Sequence, residues 1–170
     1  YRQATSVPKQ GIESLWRDYN DWEKSINAIT AKKAQDLYLK IYQNARAKSR
    51  DLERHQSNLN KRELARPPRA GGESDQLLRK WNQYLTWEKS NPLNYIGPDT
   101  QWLVARVKYA YQQAVVVLRH YECIWIGIVM FLDEEARAAE SKGETNTAQD
   151  LFKDTTEMYE KATEAIPGSC

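Results

Sequence analysis

The chain has 170 residues, 28% charged and 41% hydrophobic, with a formal net charge of +2. That length can bury a sizeable core, and that mixture excludes intrinsic disorder. The longest apolar run, Cys123 to Leu132, is about half of the ~20 residues that a membrane-spanning helix needs.

The near-neutral total hides a gradient, because residues 1–119 carry +9 and residues 120–170 carry −7. Either the two ends suit partners of opposite charge, or solvated helix faces simply drift in charge. The first ten residues lack the apolar stretch of a secretion signal. The chain opens without Met and stops abruptly after Ile166, Pro167 and Gly168, so it reads as a piece cut from something longer. Two cysteines, Cys123 and Cys170, cannot build a disulfide framework. Cys123 sits in the apolar run and is expected as a reduced core residue, which fits a reducing compartment.

Only 7 Gly and 6 Pro interrupt the sequence, and apolar residues recur at helical spacing throughout. A first helix is predicted from Lys9 or Gln10, after Pro8, to about Ile26, and a second from about Thr30 to His55. Pro67-Pro68 and Gly71-Gly72 make Ala65 to Ser74 the clearest break in the chain. Ser74 or Asp75 can cap a third helix, which ends near Ser90 before Pro92. Pro98 and Asp99 open a fourth, through about His120. A fifth covers Glu122 to Ser141 and stops at Gly143. The sixth is capped within Thr145 to Thr147 and runs to Ala165.

Repetition organises these helices. Trp16, Tyr19, Trp22 and Glu23 sit at offsets 0, 3, 6 and 7, and Trp81, Tyr84, Trp87 and Glu88 repeat them. Trp125, Ile128, Phe131 and Leu132 fill the same offsets loosely on the fifth helix. The even-numbered helices carry another mark, Tyr-x-x-Ala, at Tyr42 and Ala45, Tyr111 and Ala114, and Tyr159 and Ala162. At about 100° per residue the four ladder offsets cover one stripe about 120° wide, enough for one buried face. Large rings set the distance to a neighbouring helix, and the small Ala lets that helix approach. Each hairpin still leaves a face uncovered, which the next one covers. The expected fold is therefore all-α, an α-solenoid of about three antiparallel helix hairpins.

Glu23 and Glu88 are the odd members, since a carboxylate on a burying stripe needs partners. An indole N–H, a tyrosine hydroxyl or a neighbouring backbone group is expected to donate to each. Neither has a second acid or a nucleophile beside it in the motif, so a catalytic role is disfavoured.

Trp-x-x-Tyr-x-x-Trp-Glu on one helix, followed by Tyr-x-x-Ala on the next, resembles the signature of HAT (half-a-TPR) repeats of RNA-processing proteins. The tetratricopeptide repeat differs, carrying Trp-x-x-Leu-Gly-x-x-Tyr, and Gly is absent at the matching places here. Ser6 to Glu23, Trp81 to Leu93 and Val107 to Leu118 are similar to the suppressor-of-forked family, the HAT-repeat subunit of cleavage stimulation factor.

The resemblance implies a non-catalytic nuclear scaffold in cleavage and polyadenylation of pre-mRNA 3′ ends. Such a scaffold binds other processing-factor subunits and forms a homodimer through its C-terminal part. Residues 1–64 would be a hairpin from the end of the N-terminal HAT part. Residues 65–75 would be a Pro/Gly-rich junction, and residues 76–170 two hairpins from the start of the C-terminal part. The third ladder departs from the pattern, so its helix should be more apolar, and the long second helix stretches the first repeat.

Other functions fit less well. No Gly-rich phosphate loop, serine elbow or paired metal-ligand set is present, and His120 with Cys123 lacks a second pair to complete a zinc site. No cofactor, metal, membrane or small-molecule substrate is implied. Direct binding of single-stranded RNA is the main rival, through Arg46, Lys48, Arg50, Arg54, Lys61, Arg62, Arg66 and Arg69. Against it, the tryptophans are expected to be committed to the ladders, leaving few rings to stack on bases. A HAT scaffold in splicing or ribosomal-RNA processing would share the fold and differ only in partners.

Overall fold

The computed structural model describes residues 1–57, 59–68 and 72–168, so Arg69, Gly71 and Cys170 lie outside the described residues. Among the described residues there is no strand, and seven α-helices build the fold. The chain divides into two compact units, Tyr1–Asn58 and Leu59–Cys170.

The first unit holds α1 (Arg2–Ser6), α2 (Ile12–Ile26) and α3 (Ala28–Ser57). The sequence pattern does not announce α1, because five mostly polar residues carry no periodicity. A helix so short is held by its contacts with α2 and α3. α2 starts at Ile12 rather than Lys9 because Gly11 is left-handed, with φ 75°, a conformation that glycine adopts without steric cost. Asn27 both ends α2 and caps α3. Its backbone is extended, and its Oδ1 accepts the N–H groups of Ile29 at 2.9 Å and Thr30 at 3.3 Å. α3 therefore begins at Ala28, and a single residue joins the hairpin. Ile12, Tyr42 and Ala45 form its core, with Trp16 packed against them.

The second unit holds α4 (Gly72–Lys89), α5 (Thr100–Val117), α6 (Glu122–Ser141) and α7 (Thr145–Ala165), with a 3₁₀ turn at Gly97–Asp99. α4 starts at Gly72, inside the stretch read as a junction and ahead of the anticipated caps Ser74 and Asp75. After α4 the chain turns through Asn91 and Asn94, both left-handed, with φ 53° and 54°. The Asn91 side chain holds this loop by accepting from the Tyr95 N–H and donating to the Tyr95 carbonyl, both at 2.9 Å. α5 stops at Val117, short of His120, because Leu118 leaves the helix and enters the core while Tyr121 turns extended to start α6. α7 lacks the anticipated threonine cap. Glu144 precedes it with no side-chain bond to the helix.

Within this unit α4 packs on α5, α5 on α6, and α6 on α7, each helix on the next as in a solenoid of hairpins. Trp81, Val107, Leu118, Ile124, Ile128 and Leu132 fill its core. Each such side chain contributes about 1.5–3 kcal/mol by area removed from water. No described helix is long and apolar enough to cross a membrane.

Cys123 is exposed, not in the core. The apolar run faces inward through Ile124, Trp125, Ile128, Phe131 and Leu132. Cys123 stands two positions before Trp125, about 200° round the helix from it.

Gly127 lies in mid-helix, where a Cβ would come within 2.9 Å of the Tyr111 hydroxyl and 3.1 Å of its ring. Tyr111 is 4% exposed, so its ring has little room to retreat. Gly127→Ala gains about 1 kcal/mol of helix propensity but overpacks a tight site at a cost of about 1–3 kcal/mol. The expected result is a net loss of stability in urea unfolding, partly relieved when Tyr111→Phe removes the nearest atom.

Candidate functional site

The candidate site is a set of helix-docking residues, and the three ladders differ in how they dock. In the first, Trp16 is half-buried and stacks on Tyr42, with ring centroids 4.3 Å apart and planes 5° from parallel. Tyr19 is fully buried and meets Tyr38 edge-on at 6.2 Å. Trp22 is 42% exposed and lies 5.7 Å from Tyr1. Glu23 is buried beside Arg2 of α1, at 3.1 Å, and the Arg2 guanidinium also lies over the Tyr38 ring at 5.3 Å. Burial first, and then the Glu23 carboxylate, push the Tyr19 hydroxyl above its ordinary pKa.

The second ladder is deeper. Trp81, Tyr84 and Glu88 are buried, and Trp87 is half-buried. Arg106 of α5 grips Glu88 through Nη2 at 2.8 and 2.9 Å and Nε at 3.2 Å. Both glutamates therefore face guanidinium groups rather than only the indole, hydroxyl or backbone donors anticipated, because a buried charge is best met by an opposite one. The Trp81 indole N–H has no acceptor among the described residues. In the third ladder Trp125, Ile128, Phe131 and Leu132 are all buried, and the Trp125 indole donates to the Arg119 carbonyl at 2.9 Å.

The Tyr-x-x-Ala marks fall on two kinds of surface. Tyr42 and Ala45, and Tyr111 and Ala114, are buried. Tyr111 fills the gap at Gly127, and the Lys89 ammonium lies 5.2 Å from its ring centre and 5.8 Å from that of Phe131. Tyr159 is 58% exposed and Ala162 half-buried. They line an apolar groove between α6 and α7 with Trp125, Ile126, Val129 and Met130.

Among the basic residues Arg46, Arg50 and Arg54 are held in ion pairs. Glu13 accepts from Arg46 at 2.6 Å and Arg50 at 3.0 Å, and Arg54 faces Asp51 at 3.4 Å. Lys48 is half-buried on the same helix. Lys61, Arg62 and Arg66 belong to the second unit, with Arg62 and Arg66 exposed. The Arg46 hydrogen bond, then its charge, and then Arg50 hold the Glu13 carboxyl below its usual 4.5. Any stability it adds is complete above that value and fades as pH falls through the lower folded one. Trp22, Trp102 and Tyr109 are exposed, so the rings are not all committed to the ladders. Among the described residues no group of three or more His, Cys, Asp or Glu could hold a metal ion.

The family model for suppressor of forked protein matches residues 1–170. The chain belongs to the suppressor-of-forked family. It is 36% identical to "Protein suppressor of forked" of Drosophila melanogaster over 151 residues, which cover 89% of this chain and 20% of that protein. It is 33% identical over 130 residues to "mRNA 3'-end-processing protein rna14" of Emericella nidulans, covering 74% of this chain and 12% of that protein. With "Cleavage stimulation factor subunit 77" of Arabidopsis thaliana it shares 28% over 169 residues, 99% of this chain and 21% of that one. The chain thus spans about a fifth or less of these relatives.

Arg2, Arg106 and Gly127 escape a reading of this suppressor-of-forked segment by motif, since none recurs at matching places in the repeats. A glycine inside an apolar helical run is the one available signal, for it marks close approach of a neighbour. Two substitutions test the ladder. Trp81→Ala should cost about 3–5 kcal/mol in chemical unfolding, and Trp22→Ala a small fraction of that. Glu88→Gln should cost about 1–3 kcal/mol by leaving Arg106 without its anion, and Arg2→Ala less, because Arg2 is half exposed.

Proposed function

We propose that this segment is a non-catalytic part of a nuclear scaffold for cleavage and polyadenylation of pre-mRNA 3′ ends, and that it binds other subunits of that machinery. The observation that carries the reading is the family match along all 170 residues, joined to relatives whose names specify mRNA 3′-end processing and cleavage stimulation factor. Residue chemistry agrees. Glu23 and Glu88, the carboxylates a catalytic reading would choose, are tied to Arg2 and Arg106 and hold helices together.

On this reading residues 1–64 end an N-terminal HAT part, 65–75 join it to the next, and 76–170 begin a C-terminal part through which the full-length protein dimerises. Ladder residues set the spacing of hairpins, and solvent-facing residues between them choose partners. The α6–α7 groove, with Tyr159 and Ala162 at its edge, would seat a further hairpin. Purification of the full-length protein from nuclear extract should bring down cleavage and polyadenylation subunits. Recovery of splicing or ribosomal-RNA assembly factors without them overturns the proposal.

Direct binding of single-stranded RNA is the second reading, favoured by the exposure of Arg62, Arg66 and Trp22. The ion pairs of Arg46, Arg50 and Arg54 weigh against it. Filter binding at two salt concentrations should give weak affinity. Glu13→Gln, which frees Arg46 and Arg50, should tighten it and steepen the salt slope by about 1–2. Submicromolar affinity of the unaltered protein with a steep salt slope would favour the RNA reading.

A further inference from the structure

We propose that Leu64 to Pro68 is a docking peptide for a small domain of another protein, one whose groove holds a single Pro-Pro pair between aromatic rings and bears a carboxylate at its rim. The proposal does not depend on the pathway in which the scaffold works.

The shape of this peptide is set covalently. A proline ring holds φ at about −65° and removes the N–H that a helix or sheet would use. A residue that precedes proline is kept out of the helical region. Arg66 precedes one proline, Pro67 precedes another, and Pro68 ends the pair. All three therefore favour polyproline II, a left-handed helix of about three residues per turn without internal hydrogen bonds. Residues 63–68 accordingly belong to no helix, strand or turn.

That period sorts the side chains onto three edges. Leu64 and Pro67 share one, Ala65 and Pro68 share a second, and Arg66 stands on the third. Two edges are apolar and one is cationic. Leu64 is 80% exposed, and Arg66, Pro67 and Pro68 are exposed with it. Among the described residues no hydrogen bond or ion pair engages any of the five. Leu59 is buried ahead of them and α4 begins at Gly72 behind them, so both flanks belong to one unit. A spacer needs the stiffness of the prolines, but it has no use for a leucine held in water.

Side-chain chemistry selects the occupant. Peptides of this form are recognised by grooves lined with aromatic rings, against which the proline rings pack. Neither Leu64 nor Ala65, three places before the two prolines, is itself proline, so the Pro-x-x-P spacing is absent. A groove with one proline slot suits the pair, and a groove that needs two does not. Arg66 has no anion of its own, and a carboxylate at the groove rim supplies one. Lys61, Arg62 and Arg66 outnumber Glu63 in this stretch, so a basic groove would be repelled. Five residues make a small, transient contact, and covalent pre-ordering lowers what binding costs.

The test immobilises the full-length protein and presents purified WW domains, which clasp one proline pair between two rings, and SH3 domains, which read Pro-x-x-P. Biolayer interferometry should show saturable binding of at least one WW domain. Pro67→Ala, Pro68→Ala and Arg66→Glu should each weaken that binding by about tenfold or more. All three positions are exposed, so thermal melts should stay unchanged. Ile96→Ala, at a residue 79% exposed on another loop, should leave binding intact. Three results would each overturn the proposal. They are no binding by any WW domain, binding that survives Pro67→Ala but not Arg66→Glu, and tighter Pro67-dependent binding by an SH3 domain.

Discussion

The second unit depends on how a carboxylate is kept out of water. Glu88 is 2% exposed, a position that is untenable for a lone charge. The three contacts from Arg106 make it tenable, and they also fix where α5 must lie, because a planar guanidinium accepts a carboxylate from few directions. A ladder of rings alone would let two helices slide past each other. The ion pair sets their register.

The first unit solves the same problem with different parts. The residue of α3 that corresponds to Arg106 is Leu37, five positions before its Tyr, and it is exposed. The cation comes instead from Arg2, on a short helix ahead of the ladder. Arg2 is half exposed and Arg106 largely covered, so the later clamp is the stronger. In the third hairpin the acid is replaced by Leu132, no cation is needed there, and α6 and α7 form the most extensive helix pairing.

Much of this was legible in the sequence. The fold class and the ends of α6 and α7 follow from periodicity and from Gly143 and Pro167. Boundaries moved where a backbone conformation outranked propensity, as at Gly11 and Asn27. α1 was illegible because its stability is tertiary. Cys123 misled because an apolar run on a helix still has an outer side. The ladder rule treated four offsets as equally buried, yet Trp22 lies at the rim of its stripe and stays wet. Arg106 could not be singled out because nothing within α5 marks which of its cations turns inward.

Every extensive helix pairing within the two units joins elements that are close in sequence, and Asn27 alone separates α2 from α3. Contact order is therefore low, and little loop entropy is spent before contacts reward it. Each hairpin can gain structure as it leaves the ribosome, with α2 and α3 able to close ahead of the helices of the second unit.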